Sequence, residues 1–239
     1  MHQELKTIRS AAIMPALFVA LLWLVHGSQA VLSVNWSSWG LYPRSLHGLL
    51  GVVTSPLLHA DWMHLFNNSV SLFFLATLLV YFYRSIAAEV FFWMWLMSGV
   101  WIWIFARPSY HIGASMLVYG LAFFLFSSGF IRRNYHLMSL SLLVVVVYGS
   151  LVWGLLPILE HISWEGHMAG ALAGLLCAFY YRQYGTVVEA QSQVSFDDDP
   201  DDSNPYWLIQ DEAPPHTTHE TKPPEKIVYH YIPSDKKEQ

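Results

Sequence analysis

The sequence predicts an all-α membrane protein: six transmembrane helices in a bundle, an interfacial first loop, and an acidic C-terminal tail of disorder-prone composition. Three observations lead there. The chain is 54% hydrophobic and 12% charged, with a mean hydropathy of +0.36, whereas a soluble domain carries about 25% charged residues. Six apolar stretches alternate with short polar connections. The charge is also unevenly divided. Residues 1–185 hold 8 bases and 5 acids, and residues 186–239 hold 12 acids and 4 bases. We therefore expect a membrane domain over 1–184 and an acidic tail over 185–239. The single cysteine, Cys177, lies in an apolar run and excludes an intramolecular disulfide.

Met1–Ser10 is a short basic end with Lys6 and Arg9, and Ala11 to Val25 is strongly apolar, with a possible extension to Val31. A basic end, an apolar run and the small residues of Ser28-Gln29-Ala30 also fit a cleaved signal peptide. Five further spans favour an uncleaved first helix. Leu32 to Asp61 is too broken to span. Its Trp36, Trp39, Tyr42 and the apolar Leu49-Leu50-Gly51-Val52-Val53 suit the water–lipid boundary. The remaining spans are predicted at Trp62–Tyr83, Val90–Phe105, Ser115–Phe130, His136–Leu156 and Trp164–Tyr181. Ser115–Phe130 is short. Its sixteen residues reach only about 24 Å against a hydrocarbon core of about 30 Å. A short helix buried among others can start below the surface beside a wet cavity. The tail holds Asp197-Asp198-Asp199-Pro200-Asp201-Asp202 and two Pro-Pro pairs, a composition of disordered segments. Its two short apolar islands, Tyr206–Ile209 and Ile227–Tyr229, are possible docking points.

Orientation follows from the basic residues. With six spans, Lys6, Arg9, Arg84, Arg132, Arg133 and Arg182 fall on one side, and Arg44 and Arg107 on the other. The excess places both termini in the cytoplasm, and a bacterial inner membrane is the expected location. Helices two, four and six then all begin at the outer face. Those three carry polar clusters at their heads: His59, His64 and Asn68; Ser115, after Gly113-Ala114; and His167, after Gly166.

A serine hydroxyl becomes a nucleophile when a neighbouring base takes its proton, and histidine is the usual base. Ser115 and His167 supply that pair if helices four and six touch. Gly166, Gly170 and Gly174 repeat every fourth residue, a strip that lets helix backbones approach closely in lipid. Tyr119 stands one turn beyond Ser115 on the same face, where its ring can pack on the imidazole. His64 and Asn68 are also one turn apart. With the Ser115 backbone N–H, they are candidate donors to an oxyanion. No carboxylate stands out as a third member; Asp61 and Glu165 lie near but at a different depth. A helix cap or a packing hydroxyl accounts for Ser115 taken alone, but three polar clusters at one depth make function the better joint account. His59, His64 and His167 could offer three nitrogens to zinc, but no carboxylate falls at ligand spacing and no H-E-x-x-H occurs; no metal and no cofactor is expected. A transporter would gather its polar groups nearer the midplane. No nucleic-acid partner is expected.

Together, His59-Ala-Asp-Trp-Met-His64-Leu-Phe-Asn67-Asn68, Gly113-Ala-Ser115 with Tyr119-Gly120, and Gly166-His167-Met-Ala-Gly170-Ala-Leu-Ala-Gly174 resemble the rhomboid family of intramembrane serine proteases. The resemblance covers about residues 11–183. It implies a rhomboid-like six-helix bundle, with Ser115 as nucleophile and His167 as base. The oxyanion donors fall on His64, Asn68 and the Ser115 N–H, with Asn67 off register. His59, Gly113 and Tyr119 are supporting residues. The implied activity is that of a serine endopeptidase cutting transmembrane segments of other membrane proteins near the outer face, without metal or cofactor. The alternative is an inactive member that binds transmembrane clients. Two departures stand out. Met116 follows the nucleophile where the family often has glycine, a larger side chain that could either narrow the site or alter which residue fits beside the cut. Arg44, in Gly40-Leu-Tyr-Pro-Arg44, stands in place of a Trp-Arg pair and leaves the first loop's anchor open.

Overall fold

The computed structural model describes residues 2–158 and 162–184, with side chains from residue 7 onward; they fall within one unit, Met1–Asp197. The predicted tail lies outside them. Seven α-helices follow in order: α1 (His2–Leu32), α2 (Gly51–Thr54), α3 (Trp62–Phe82), α4 (Ala87–Phe105), α5 (Ser115–Arg132), α6 (Tyr135–Tyr148) and α7 (Trp164–Tyr180). No strand occurs among the described residues; Leu41 and His111 form one isolated antiparallel bridge. Among the described residues, five helical stretches are long and apolar enough to cross a membrane: Thr7–Leu32, Trp62–Phe82, Ala87–Phe105, Ser115–Arg132 and Tyr135–Leu155. The chain is thus an integral membrane protein. The sixth expected span, α7, has 17 residues, about 26 Å, and is shorter than these five.

Large apolar side chains such as Leu17, Leu24, Phe74, Leu142, Val146 and Phe179 point outward, as lipid-facing surface requires. The centre is α5. Its apolar window is 67% buried, against 17–39% for the other four spans, and it packs on α3, α4, α6 and α7. Its tightest neighbour is α7. A Cβ on Gly170 would lie 2.0 Å from the Met116 carbonyl oxygen, and one on Gly174 would lie 2.1 Å from that of Gly120. The two backbones meet with nothing between them, which is why these positions carry no side chain. Gly166 stands apart from this strip. A Cβ there would meet the Ser163 hydroxyl at 2.8 Å and Ile102 of α4 at 3.5 Å, so it does not face α5.

The first loop is short turns around α2. Leu46 (88% exposed), Leu49, Leu50 and Val53 form an outward apolar row at helical spacing, as an interfacial element should. Arg44 anchors the loop: it donates to the Ile104 and Ala106 carbonyls at 3.1 and 2.8 Å, and Trp103 Nε1 donates to the Ser45 carbonyl at 2.9 Å.

One predicted helix is not uniform. Over the expected span 136–156, the α-helix stops at Tyr148 and residues 149–155 form a 3-10 helix. Apolar composition alone does not distinguish the two forms.

Candidate active site

Ser115 opens α5. The preceding Gly113 has φ +113°, a left-handed conformation that glycine adopts at no steric cost. Space dictates glycine there too, because a Cβ would lie 2.7 Å from the His64 ring and 3.5 Å from Asn68 Nδ2. The turn therefore lays the backbone of 113–115 directly on the His64/Asn68 face of α3. Asp61 caps α3 by accepting from the His64 N–H at 2.8 Å.

Ser115 does not cap its own helix; the N-cap is Ala114, without a side-chain bond. Its Oγ lies 3.0 Å from His167 Nε2. His167 Nδ1 lies 2.8 Å from the Gly154 carbonyl oxygen. A carbonyl only accepts, so Nδ1 carries the proton and Nε2 turns its lone pair to the hydroxyl. The Tyr119 ring stacks on the imidazole, with centroids 4.1 Å apart and planes 8° from parallel. Its hydroxyl donates to the Leu151 carbonyl at 2.9 Å.

Around the turn, the Gly113 N–H donates to the Ser55 carbonyl at 2.9 Å, and the Ala114 N–H to His59 Nε2 at 3.4 Å. The Ser115 N–H has no partner among the described residues. Asn68 Nδ2 is buried and likewise has none. Two donors without acceptors thus border the same turn as the hydroxyl. His59 is buried and packs edge-on against His64, with centroids 5.1 Å apart. Burial first, then the neighbouring His64 and His26, push His59 down to about 3, against the opposing Leu57 carbonyl and Asp61; it is neutral at physiological pH.

Other groups that hold the site carry no sequence motif. His111 Nδ1 lies 2.6 Å from the Ser163 hydroxyl, which itself caps α7 by accepting from the Gly166 N–H at 3.2 Å. Arg107 pairs with Glu165 at 3.3 Å and donates to the Ile162 carbonyl at 2.6 Å. The loop before Ser115 is thereby bonded to the turn before His167. A polar residue four positions ahead of Ser115 and of His167, His111 and Ser163 respectively, is the one available sign. Gly154 and Leu151 act through carbonyls, which leave none. Met116 follows Ser115, and its side chain is buried (3% exposed) in the helical core. Among the described residues, no three His, Cys, Asp or Glu side chains group to hold a metal ion.

A membrane bundle with a serine and a histidine joined at one end of its central helices defines a class, and sequence comparison supplies the family. A family model for the rhomboid domain matches residues 46–184. An uncharacterised protein of Mycobacterium tuberculosis is 35% identical over 174 residues, covering 68% of this chain and 71% of its own length. One of Mycobacterium bovis matches to the same extent. One of Mycobacterium leprae is 31% identical over 172 residues, covering 68% of each. The chain belongs to the rhomboid family, whose members include serine proteases acting within the bilayer on membrane-embedded substrates.

Proposed function

We propose that this chain is an active intramembrane serine endopeptidase that cuts transmembrane segments of other membrane proteins near the outer face. The carrying observation is the 3.0 Å approach of Ser115 Oγ to His167 Nε2, between residues 52 positions apart. On this reading His167 Nε2 takes the Ser115 proton as the oxygen attacks the scissile carbonyl. The tetrahedral oxyanion receives hydrogen bonds from the Ser115 N–H, Asn68 Nδ2 and His64. His167 then returns the proton to the leaving amine, and a water, deprotonated by the same nitrogen, releases the acyl group. His167 passes the proton taken from that water to the departing Ser115 oxygen, which restores the dyad. His59 and Gly113 support the donors, and Tyr119 holds the base in plane.

Both termini are cytoplasmic on this reading, and the six-span bundle sits in a bacterial inner membrane. The membrane domain is 1–184, and the acidic residues 185–239 form a separate tail.

The test is labelling by a fluorophosphonate in detergent, with cleavage of a model transmembrane substrate in proteoliposomes. Wild type is expected to label and cut, and Ser115→Ala and His167→Ala to do neither while keeping the wild-type melting profile. Label retained by Ser115→Ala would end the serine assignment. Substrate binding by the wild type with no label and no product would make the chain a client-binding member instead.

A further inference from the structure

Among the described residues, no carboxylate stands behind the base of the proposed dyad. Asp61 caps α3 and Glu165 pairs with Arg107. His167 Nδ1 instead meets the Gly154 main-chain carbonyl at 2.8 Å. Among the described residues, no backbone N–H claims that oxygen. In the backbone beyond it, the Leu156 N–H donates to Trp153 and the Ile158 N–H to Leu156, so neither claims Gly154.

Residue 154 must be small for this contact to exist. A Cβ there would fall 2.0 Å from the Tyr119 hydroxyl oxygen, 3.1 Å from Tyr119 Cζ and 3.2 Å from His167 Nδ1. Any side chain would push residues 149–155 away from the ring pair. The Tyr119 hydroxyl ties the same segment down through the Leu151 carbonyl at 2.9 Å. Leu151 and Gly154 are three residues apart in a 3-10 helix, one full turn, so their carbonyls share a face. In an α-helix they would be about 60° apart around the axis and turned toward donors four residues on.

We propose that the Gly154 carbonyl is the positioning group of this site, fixing the His167 proton on Nδ1 where serine hydrolases of the triad type use a carboxylate. The 3-10 form of residues 149–155 presents it together with the Leu151 carbonyl to the stacked His167 and Tyr119. A neutral acceptor suits a membrane interior, where a carboxylate would need its own compensation. The inference rests on the Ser115–His167 reading, and its test separates the two.

The full chain is labelled with 15N-histidine, and the His167 signals are assigned by their loss in His167→Asn. They are expected to show the proton on Nδ1. Replacing the 154–155 peptide bond by an ester leaves every side chain in place and weakens the Gly154 carbonyl as an acceptor. It should lower kcat on a model substrate about tenfold, the scale of weakening one bond to a group that becomes charged, with KM within about twofold. The control is an ester at 152–153. It removes an equivalent N–H without touching His167, and should leave kcat within about twofold. Gly154→Ala should lower kcat about a hundredfold by forcing the segment off the rings, and adding Tyr119→Phe should recover part of that loss by removing the oxygen it strikes. A His167 proton on Nε2, equal effects of the two esters, or a fully active Gly154→Ala overturns the proposal. Failure of the dyad reading looks different: Ser115→Ala keeps its label while the His167 spectrum is unchanged.

Discussion

An imidazole accepts a proton from a hydroxyl only through a nitrogen that carries none, and the two nitrogens of His167 have partners that sort them. Nδ1 faces a carbonyl and Nε2 faces Ser115. The donors opposite are as specific. Asn68 is 7% exposed and its amide nitrogen is unpaired, a cost of about 1–3 kcal/mol that is recovered if charge develops beside it. Asn68→Ala is therefore expected to lower kcat by about 10²–10³, the scale of one lost oxyanion donor, without lowering the melting temperature. Unaltered kcat would remove Asn68 from that role. His59 has a different duty. Held down to about 3 when folded, it stays neutral while an unfolded chain's histidine takes a proton near 6.5. Its contribution to stability is full above about 6.5 and is lost as pH falls from there toward 3. Burial likewise lowers His111, with the same sign. Melting temperature in detergent should fall between pH 7.5 and 5, and His59→Asn should flatten that fall. An unchanged slope in the variant would assign the loss to other groups.

Helices bring the residues together, and their sequences differ in how openly they say so. Gly170 and Gly174 advertise a backbone approach because spacing of four is a packing signal in lipid, and both contact α5 as that spacing demands. Gly166 has the same spacing but meets its own capping serine and α4, since a strip on a helix of 3.6 residues per turn drifts around the axis. The two kinds of glycine should respond differently. At Gly170 the obstacle is the Met116 backbone, so Gly170→Leu is expected to lose fluorophosphonate labelling and melt at a lower temperature. At Gly166 the first obstacle is a serine hydroxyl that can rotate, so Gly166→Ala should keep labelling within about tenfold. Equal damage at both positions would deny α5 its special place against α7. The end of α6 was hidden from the sequence for a different reason. Residues 149–155 are apolar enough to count with the helix before them as one span, Tyr135–Leu155. In that form Tyr119 and His167 take the Leu151 and Gly154 carbonyls, and hydropathy does not report on carbonyls. His111 and Ser163 join two turns across 52 positions; each alone reads as an ordinary loop residue.

At the scale of the whole chain, the alternation of helices fixes which groups share an end. α3 and α7 begin beside the Ser115 turn, α4 ends there, and the 3-10 segment after α6 returns there. Arg44 and Arg107 are at that end. Arg132 lies at the other, bonded to the Tyr184 carbonyl beyond α7 at 2.6 Å, with Arg84 following α3 and Arg182 following α7. The charge asymmetry that predicts orientation and the geometry that gathers Ser115, His167 and Asn68 therefore refer to opposite ends of one bundle. If the arginine-rich end is cytoplasmic, the candidate site opens toward the outer face, and a substrate must present its bond there. A single-cysteine experiment checks this, in a Cys177→Ala background because Cys177 is the chain's one cysteine and is buried. Asn35→Cys, in the turn after α1, should react with a membrane-impermeant maleimide in intact spheroplasts. Ser85→Cys, between α3 and α4, should react only after permeabilisation. The reverse pattern would turn the bundle over, moving the cut to the cytoplasmic face while leaving the Ser115–His167 geometry untouched. Orientation is a property of the charges at the ends, and catalysis a property of the contacts within, so each can fail without the other.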